Sequence, residues 1–160
     1  MMKNTLAAIA GIAALGIGCA KDIPVYSQVD QIMQNGSQSM YTEIWSDAEA
    51  LKLSLYVTED ARLLSKFAWA RYEPASSTAC EKEEAYMLAG RENADILMTD
   101  EGCDGTLDYV LVHQYGKEIT LEGNEIGNDI HQLFGDMRET IDQFFGIDSR
   151  VSQWHERKQK

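Results

Sequence analysis

The feature that most constrains this chain is its opening. Met1-Met2-Lys3-Asn4 carries one positive charge, and Thr5 to Ile17 is a 13-residue run in which every residue after Thr5 is Ala, Ile, Leu or Gly. A bilayer core of about 30 Å needs roughly 20 helical residues to cross it, so this run is too short to span. A short positive stretch followed by an apolar run of this length has the form of a secretory signal. Polar residues, Lys21 and Asp22, follow almost at once. The domain must therefore be built from what remains, and the expected division is a signal at 1–18, a tether at 19–37, one domain at 38–149 and a basic tail at 150–160.

Leu15-Gly16-Ile17-Gly18-Cys19 resembles the lipobox of bacterial lipoproteins, in which a small residue precedes a Cys that receives diacylglycerol and becomes the new N-terminus. Gly18 and Cys19 match that pattern, while Gly16 stands where the family usually has Leu. The resemblance implies lipidation at Cys19 with acyl chains such as palmitate. It also implies a membrane-anchored, extracytoplasmic address, which in a Gram-negative envelope would be the outer membrane facing the periplasm, because Ala20 rather than Asp follows the Cys.

If Cys19 carries lipid, Cys80 and Cys103 remain as an even pair in an oxidising compartment, and a disulfide between them is expected. Neither belongs to a C-x-x-C pair, which argues against zinc or thioredoxin-type chemistry. Beyond the signal the chain holds 13 basic and 26 acidic residues. That surplus opposes nucleic acid, whose affinity comes from neutralising phosphates, and opposes docking on anionic lipid through a basic face. It suits a cationic partner, such as a basic protein patch or divalent ions, and also serves solubility alone.

The apolar spacing suggests an α+β fold with N-terminal helices, a three-stranded antiparallel meander and a long C-terminal amphipathic helix. Met40, Ile44, Trp45, Ala48, Leu51 and Leu55 fall at helical spacing after Ser37, a candidate cap. Thr58 offers a second cap, with Leu63, Leu64, Phe67 and Ala68 continuing to Pro74, although Phe67, Trp69 and Arg71 also alternate as in a strand. Thr78 and Glu81 match a capping box for a helix ending at Gly90. The period then changes to two. Ala94–Thr99, Leu107–Tyr115 and Glu118–Leu121 read as strands, with Gly116-Lys117 as a type II′ turn. Ile126, Ile130, Leu133, Phe134, Met137, Ile141 and Phe145 form the stripe of the last helix, which Gly146 ends, and the tail from Arg150 is expected to fray.

Asp100, Asp104, Thr106 and Asp108 form the sharpest constellation. Asp100, Asp104 and Asp108, with Gly105 and Leu107 between them, resemble the calcium loops of the EF-hand and dockerin families at positions one, five, nine, six and eight. The resemblance implies calcium held by Asp100, Asp104, Asp108 and the Thr106 carbonyl, since Ca²⁺ takes six to eight oxygens. Gly102 stands at position three and Leu111 at twelve, where that family places oxygen ligands. An Asp/Gly-rich turn between strands needs no ion and uses the same residues.

His113, His131 and His155 have no local partner at zinc-binding spacing, and Glu81, Glu83 and Glu84 suit the first turn of a helix. Trp45, Trp69 and Trp154 fit a core or its rim better than a stacking platform. The chain has no G-x-S-x-G, P-loop or H-E-x-x-H. The expectation is a membrane-tethered extracytoplasmic binding or interaction module without catalytic residues. The alternatives are a small hydrolase whose residues meet only in three dimensions, recognisable by a pocket gathering His113 or His131 with an acid, and a calcium-stabilised structural module.

Overall fold

Alternation along Leu51, Leu53 and Leu55, with Lys52, Ser54 and Tyr56 between them, places three leucines on one side of an extended chain. The computed structural model, which describes residues 23–160, builds this stretch into a strand, as it does most of the chain. The strands are β1 (Tyr26–Asn35), β2 (Gln38–Ser46), β3 (Ala50–Glu59), β4 (Arg62–Tyr72), β5 (Lys82–Ala89), β6 (Ala94–Glu101), β7 (Tyr109–Gln114) and β8 (Lys117–Glu122). They form one eight-stranded sheet in sequence order, antiparallel at every step. Two helices follow, α1 (Asn128–Phe145) and α2 (Ile147–Gln159). No described helix is long and apolar enough to cross a membrane.

The expected fold class does not hold: an eight-stranded sheet replaces N-terminal helices and a three-stranded meander. Residues 38–72, read as two helices, form β2, β3 and β4, and residues 82–89 form β5. The helical spacing arose because apolar residues occupy both sides of these strands. Ile44 pairs with Leu53 on one face, while Tyr41 pairs with Tyr56 and Trp45 with Lys52 on the other. Summed along the chain, two period-two patterns imitate steps of three and four. Thr78 and Glu81 lie outside any helix, and a reciprocal capping pair occurs instead at Glu122 and Glu125, around the short 3-10 turn Gly123–Glu125. Gly90 opens a second such turn, Gly90–Glu92, where a Cβ would come within 2.7 Å of the Leu63 carbonyl oxygen.

The period-two residues from Ala94 onward do form three consecutive strands, but as the last three of eight. Their turn is Tyr115-Gly116, with φ of 51° and 74°. Both central residues are left-handed, which is type I′ rather than the expected type II′. Part of the expected tether is β1, and the expected tail is α2. Gly146 does end α1, at φ 64°, and the chain turns there directly into α2.

Both helices lie on one face of the sheet. The core has two adjoining clusters. In the first, Ile44, Leu51, Leu53, Leu55 and Trp69 meet Ile141, Phe145, Ile147 and Trp154. In the second, Ala85, Met98 and Val110 meet Leu107, Ile126, Phe134 and Met137. Trp154 also donates its indole N–H to the Asp47 carbonyl at 2.7 Å, fixing α2 against the β2–β3 turn. Truncating a buried Trp of this kind costs about 3–5 kcal/mol. No described helix crosses the second face of the sheet.

Candidate functional site

The second face takes its character from the register. Ser54 pairs with Ala68, Lys52 with Ala70, Ala68 with Tyr86, and Ala70 with Glu84. Small side chains at the centre of β3 and β4 thus lie between larger ones on either side. The result is a groove of about 290 Å³ lined by Lys52, Ser54, Lys66, Tyr72, Glu84 and Tyr86, floored by Ala68 and Ala70.

Both lysines of this groove, and Lys82 beside it, lie against aromatic faces. Lys52 Nζ is 5.1 Å from the Trp45 ring centre, Lys82 Nζ is 4.5 Å from that of Tyr72, and Lys66 Nζ stands 5.0 Å from Tyr56 and 5.8 Å from Tyr86. Such placements suit a cation that has lost part of its water shell. The acids beside the groove are engaged. Glu43 accepts from the Tyr56 hydroxyl at 3.1 Å and Glu84 from that of Tyr72 at 3.1 Å, while Glu84 also pairs with Lys82 at 2.9 Å. Among the described residues no carboxylate comes within ion-pair distance of Lys52 or Lys66.

The electrostatics follow from this packing. Burial pushes the Lys66 ammonium down from its ordinary range, opposed by the charge of Glu43 and assisted by that of Lys52. Burial raises the Tyr56 and Tyr72 hydroxyls, with Glu43 and Glu84 respectively adding to the effect. Both phenols are therefore donors at neutral pH.

A polar row continues toward the β8 edge. Tyr86 donates to Asp95 at 3.3 Å, His113 Nδ1 contacts Asp95 at 2.8 Å, and His113 Nε2 contacts Glu118 at 2.9 Å. Asp95, His113 and Glu118 are direct cross-strand neighbours on β6, β7 and β8. Hydrogen bonds donated to Asp95 first and Glu118 second raise His113 above the ordinary histidine range. This is the grouping of histidine and acid that a hydrolase would need, yet both ring nitrogens are occupied by carboxylates. None is left to take a proton from a nucleophile. His131 contacts its own helix at the Gly127 carbonyl, and His155 contacts Glu73.

Of the residues expected to carry chemistry, Cys19 lies outside the described residues. Cys80 and Cys103 form a disulfide, with Cα atoms 6.1 Å apart, joining the loop before β5 to the loop after β6. Asp100 is buried and accepts from the backbone N–H of Asp104 at 3.2 Å and Gly105 at 2.8 Å. Asp104 accepts from the Thr106 N–H, and Asp108 from that of Glu101, each at 2.8 Å. Burial raises the Asp100 carboxyl, and these backbone donors only partly offset it. Among the described residues, the one close group of possible metal ligands is Cys80, Glu83 and Cys103, whose sulfurs are already bonded to each other.

The sequence reading missed the lysines of the groove altogether. Lys52 and Lys66 fall inside stretches whose apolar spacing reads as helical, and only their alternation with Leu51, Leu53, Phe67 and Trp69 places them together on one sheet face. Compared with known proteins, the chain matches no protein-family model, no curated protein and no solved structure.

Proposed function

We propose that this chain is a non-catalytic binding module, held outside the cytosol on a membrane through Cys19, with the second face of its sheet as the working surface. The observation that carries the reading is the division of labour in the sheet. One face is taken up by α1 and α2, and the other keeps a groove whose two lysines, among the described residues, have no carboxylate within ion-pair distance. The occupied nitrogens of His113 favour binding over hydrolysis. The Cys80–Cys103 disulfide supports an oxidising compartment, where such bonds persist. Away from the groove, the acid surplus of the chain favours a basic protein patch over nucleic acid as a macromolecular partner.

The test combines fractionation with mass spectrometry of the intact product. The expected species sits in the cell envelope, lacks residues 1–18, carries acyl mass on Cys19 and is two protons lighter than its reduced form. A cytosolic product that keeps Met1 defeats the membrane-held reading. Turnover of model ester, peptide or glycoside substrates that His113→Gln abolishes would replace binding with hydrolysis.

A further inference from the structure

We infer that the groove between Lys52 and Lys66 is a subsite for a small aromatic carboxylate, an inference that rests on reading the chain as a binding module. The two cations set the charge of the ligand. In a chain of net charge −12, Lys52 and Lys66 share one groove with no acid in ion-pair contact, so the complement they lack is an anion. The remote acids do not cancel this, because charges more than about 8 Å apart across solvent are largely screened at physiological salt. Glu43, whose charge acts on Lys66, already accepts from the Tyr56 hydroxyl, and Glu84, which lines the groove, is engaged by Lys82 and Tyr72.

The body of the ligand is set by the floor and walls. Ala68 and Ala70 give a smooth apolar floor beside the Ser54 hydroxyl, while Tyr72, Tyr86 and Leu97 line the groove alongside them. A flat ring can lie on this floor and contact the tyrosine faces. A volume of about 290 Å³ holds one or two fused rings and lies at the small end of ligand pockets. Lys52 is four residues along β3 from Tyr56, the partner of Lys66, so the two lysine backbones stand about 14 Å apart along the strands. Their long side chains can then reach a carboxylate from opposite ends of the groove. The partial desolvation of Lys66 strengthens any ion pair it forms there.

The probe is 2-naphthoate, titrated into the purified protein and followed by calorimetry and by quenching of tryptophan fluorescence, with Trp45 beside Lys52 as a local reporter. Saturable one-to-one binding is expected. Lys52→Gln and Lys66→Gln should each weaken it about tenfold, the change that loss of one charge-assisted hydrogen bond brings. Ala68→Val should weaken it by filling the floor while leaving both charges, and thermal melts confirm that each variant is folded. Neutral 2-naphthylmethanol should bind at least about tenfold more weakly, and decanoate more weakly than naphthoate. Equal binding of the neutral alcohol overturns the anion subsite but leaves a binding face. Tighter binding of decanoate overturns the aromatic assignment in favour of an acyl chain. No binding of any of the three probes by folded wild-type protein overturns the subsite, and the wider reading still stands or falls on a macromolecular partner and on the location test above.

Discussion

Lys158 on α2 donates to the Glu73 carboxylate at 3.0 Å across 85 residues of chain, and their side chains are 4% and 0% exposed. Glu73 also accepts from Arg71 at 2.7 Å and contacts His155 Nε2 at 2.8 Å, while Lys158 donates further to the carbonyls of Pro74 and Ser77. This network locks the end of α2 to the β4–β5 loop. Removing one member of this buried pair deprives the other of its closest opposite charge, although Glu73 keeps Arg71 and His155 and Lys158 keeps two carbonyls, at a cost of about 3–5 kcal/mol. Glu73→Ala or Lys158→Met should each lower the urea-unfolding free energy by about that amount, and the melting temperature by roughly 10 °C. The double variant should cost less than the sum, since neither charge is then stranded. Burial alone would raise the Glu73 carboxyl, but its bonds to His155, Lys158 and Arg71 outweigh this and hold it below the usual range. Its stabilisation is therefore complete above the unfolded value near 4.3 and is lost as pH falls through the depressed folded value. Glu73→Gln should flatten the acid limb of the stability curve.

The clamp of Asp95 and Glu118 on His113 has the opposite sign. A histidine raised by two hydrogen-bonded acids stabilises the fold when protonated. That contribution is fully present below the unfolded value near 6.5 and is lost as pH rises through the raised folded value. Imidazole proton NMR should show His113 titrating above the ordinary histidine value near 6.5. Melting temperature should fall between neutral and mildly alkaline pH in the wild type, and His113→Gln should remove that slope. A normal or depressed His113 titration would show that the clamp does not form in solution.

The β3–β4 hairpin turns at Asp60-Ala61, with φ of 48° and 63°, so a residue with a Cβ occupies a left-handed position that glycine takes freely. Ala61→Gly should raise stability by about 0.5–1 kcal/mol, because Asp-Gly is the favoured type I′ pair and the strain exceeds the entropic cost of glycine. Denaturant midpoints at unchanged m-value measure it.

That same Ala61 explains much of what the sequence concealed. A hairpin turned by Asp-Ala gives no glycine signal, so β3 and β4 ran together as apolar spacing with a cap at Thr58. The β1–β2 turn, with Gly36 at φ 60°, did carry a signal, but the strand before it is polar, as Gln28, Asp30, Gln31 and Gln34 show, and read as a tether. The part of the sheet with turn chemistry on both sides, from Ala94 to Glu122, was legible, as was the amphipathic stripe of α1. The disulfide was legible from parity and compartment. The groove was not, because no local spacing brings Lys52 and Lys66 together with Tyr86. The pairing of three separate strands does so.

The loop after β6 separates covalent from ionic stabilisation. Its carboxylates already close it: Asp100 holds the Asp104 and Gly105 amides, Asp104 the Thr106 amide, and Asp108 the Glu101 amide. The disulfide ties Cys103 to Cys80, a loop of about 24 residues worth roughly 3.5 kcal/mol on the chain-entropy account. A few millimolar EDTA should therefore leave the melting temperature of the oxidised protein unchanged, whereas a bound ion would stabilise by mass action and be lost to the chelator. Reduction, or Cys80→Ser with Cys103→Ser, should lower stability by up to that chain-entropy figure. Asp100→Ala should cost about 1–3 kcal/mol in the presence or absence of calcium, because it leaves two loop amides without their acceptor. A chelator-induced fall in melting temperature that Asp100→Ala abolishes would instead assign the loop to calcium.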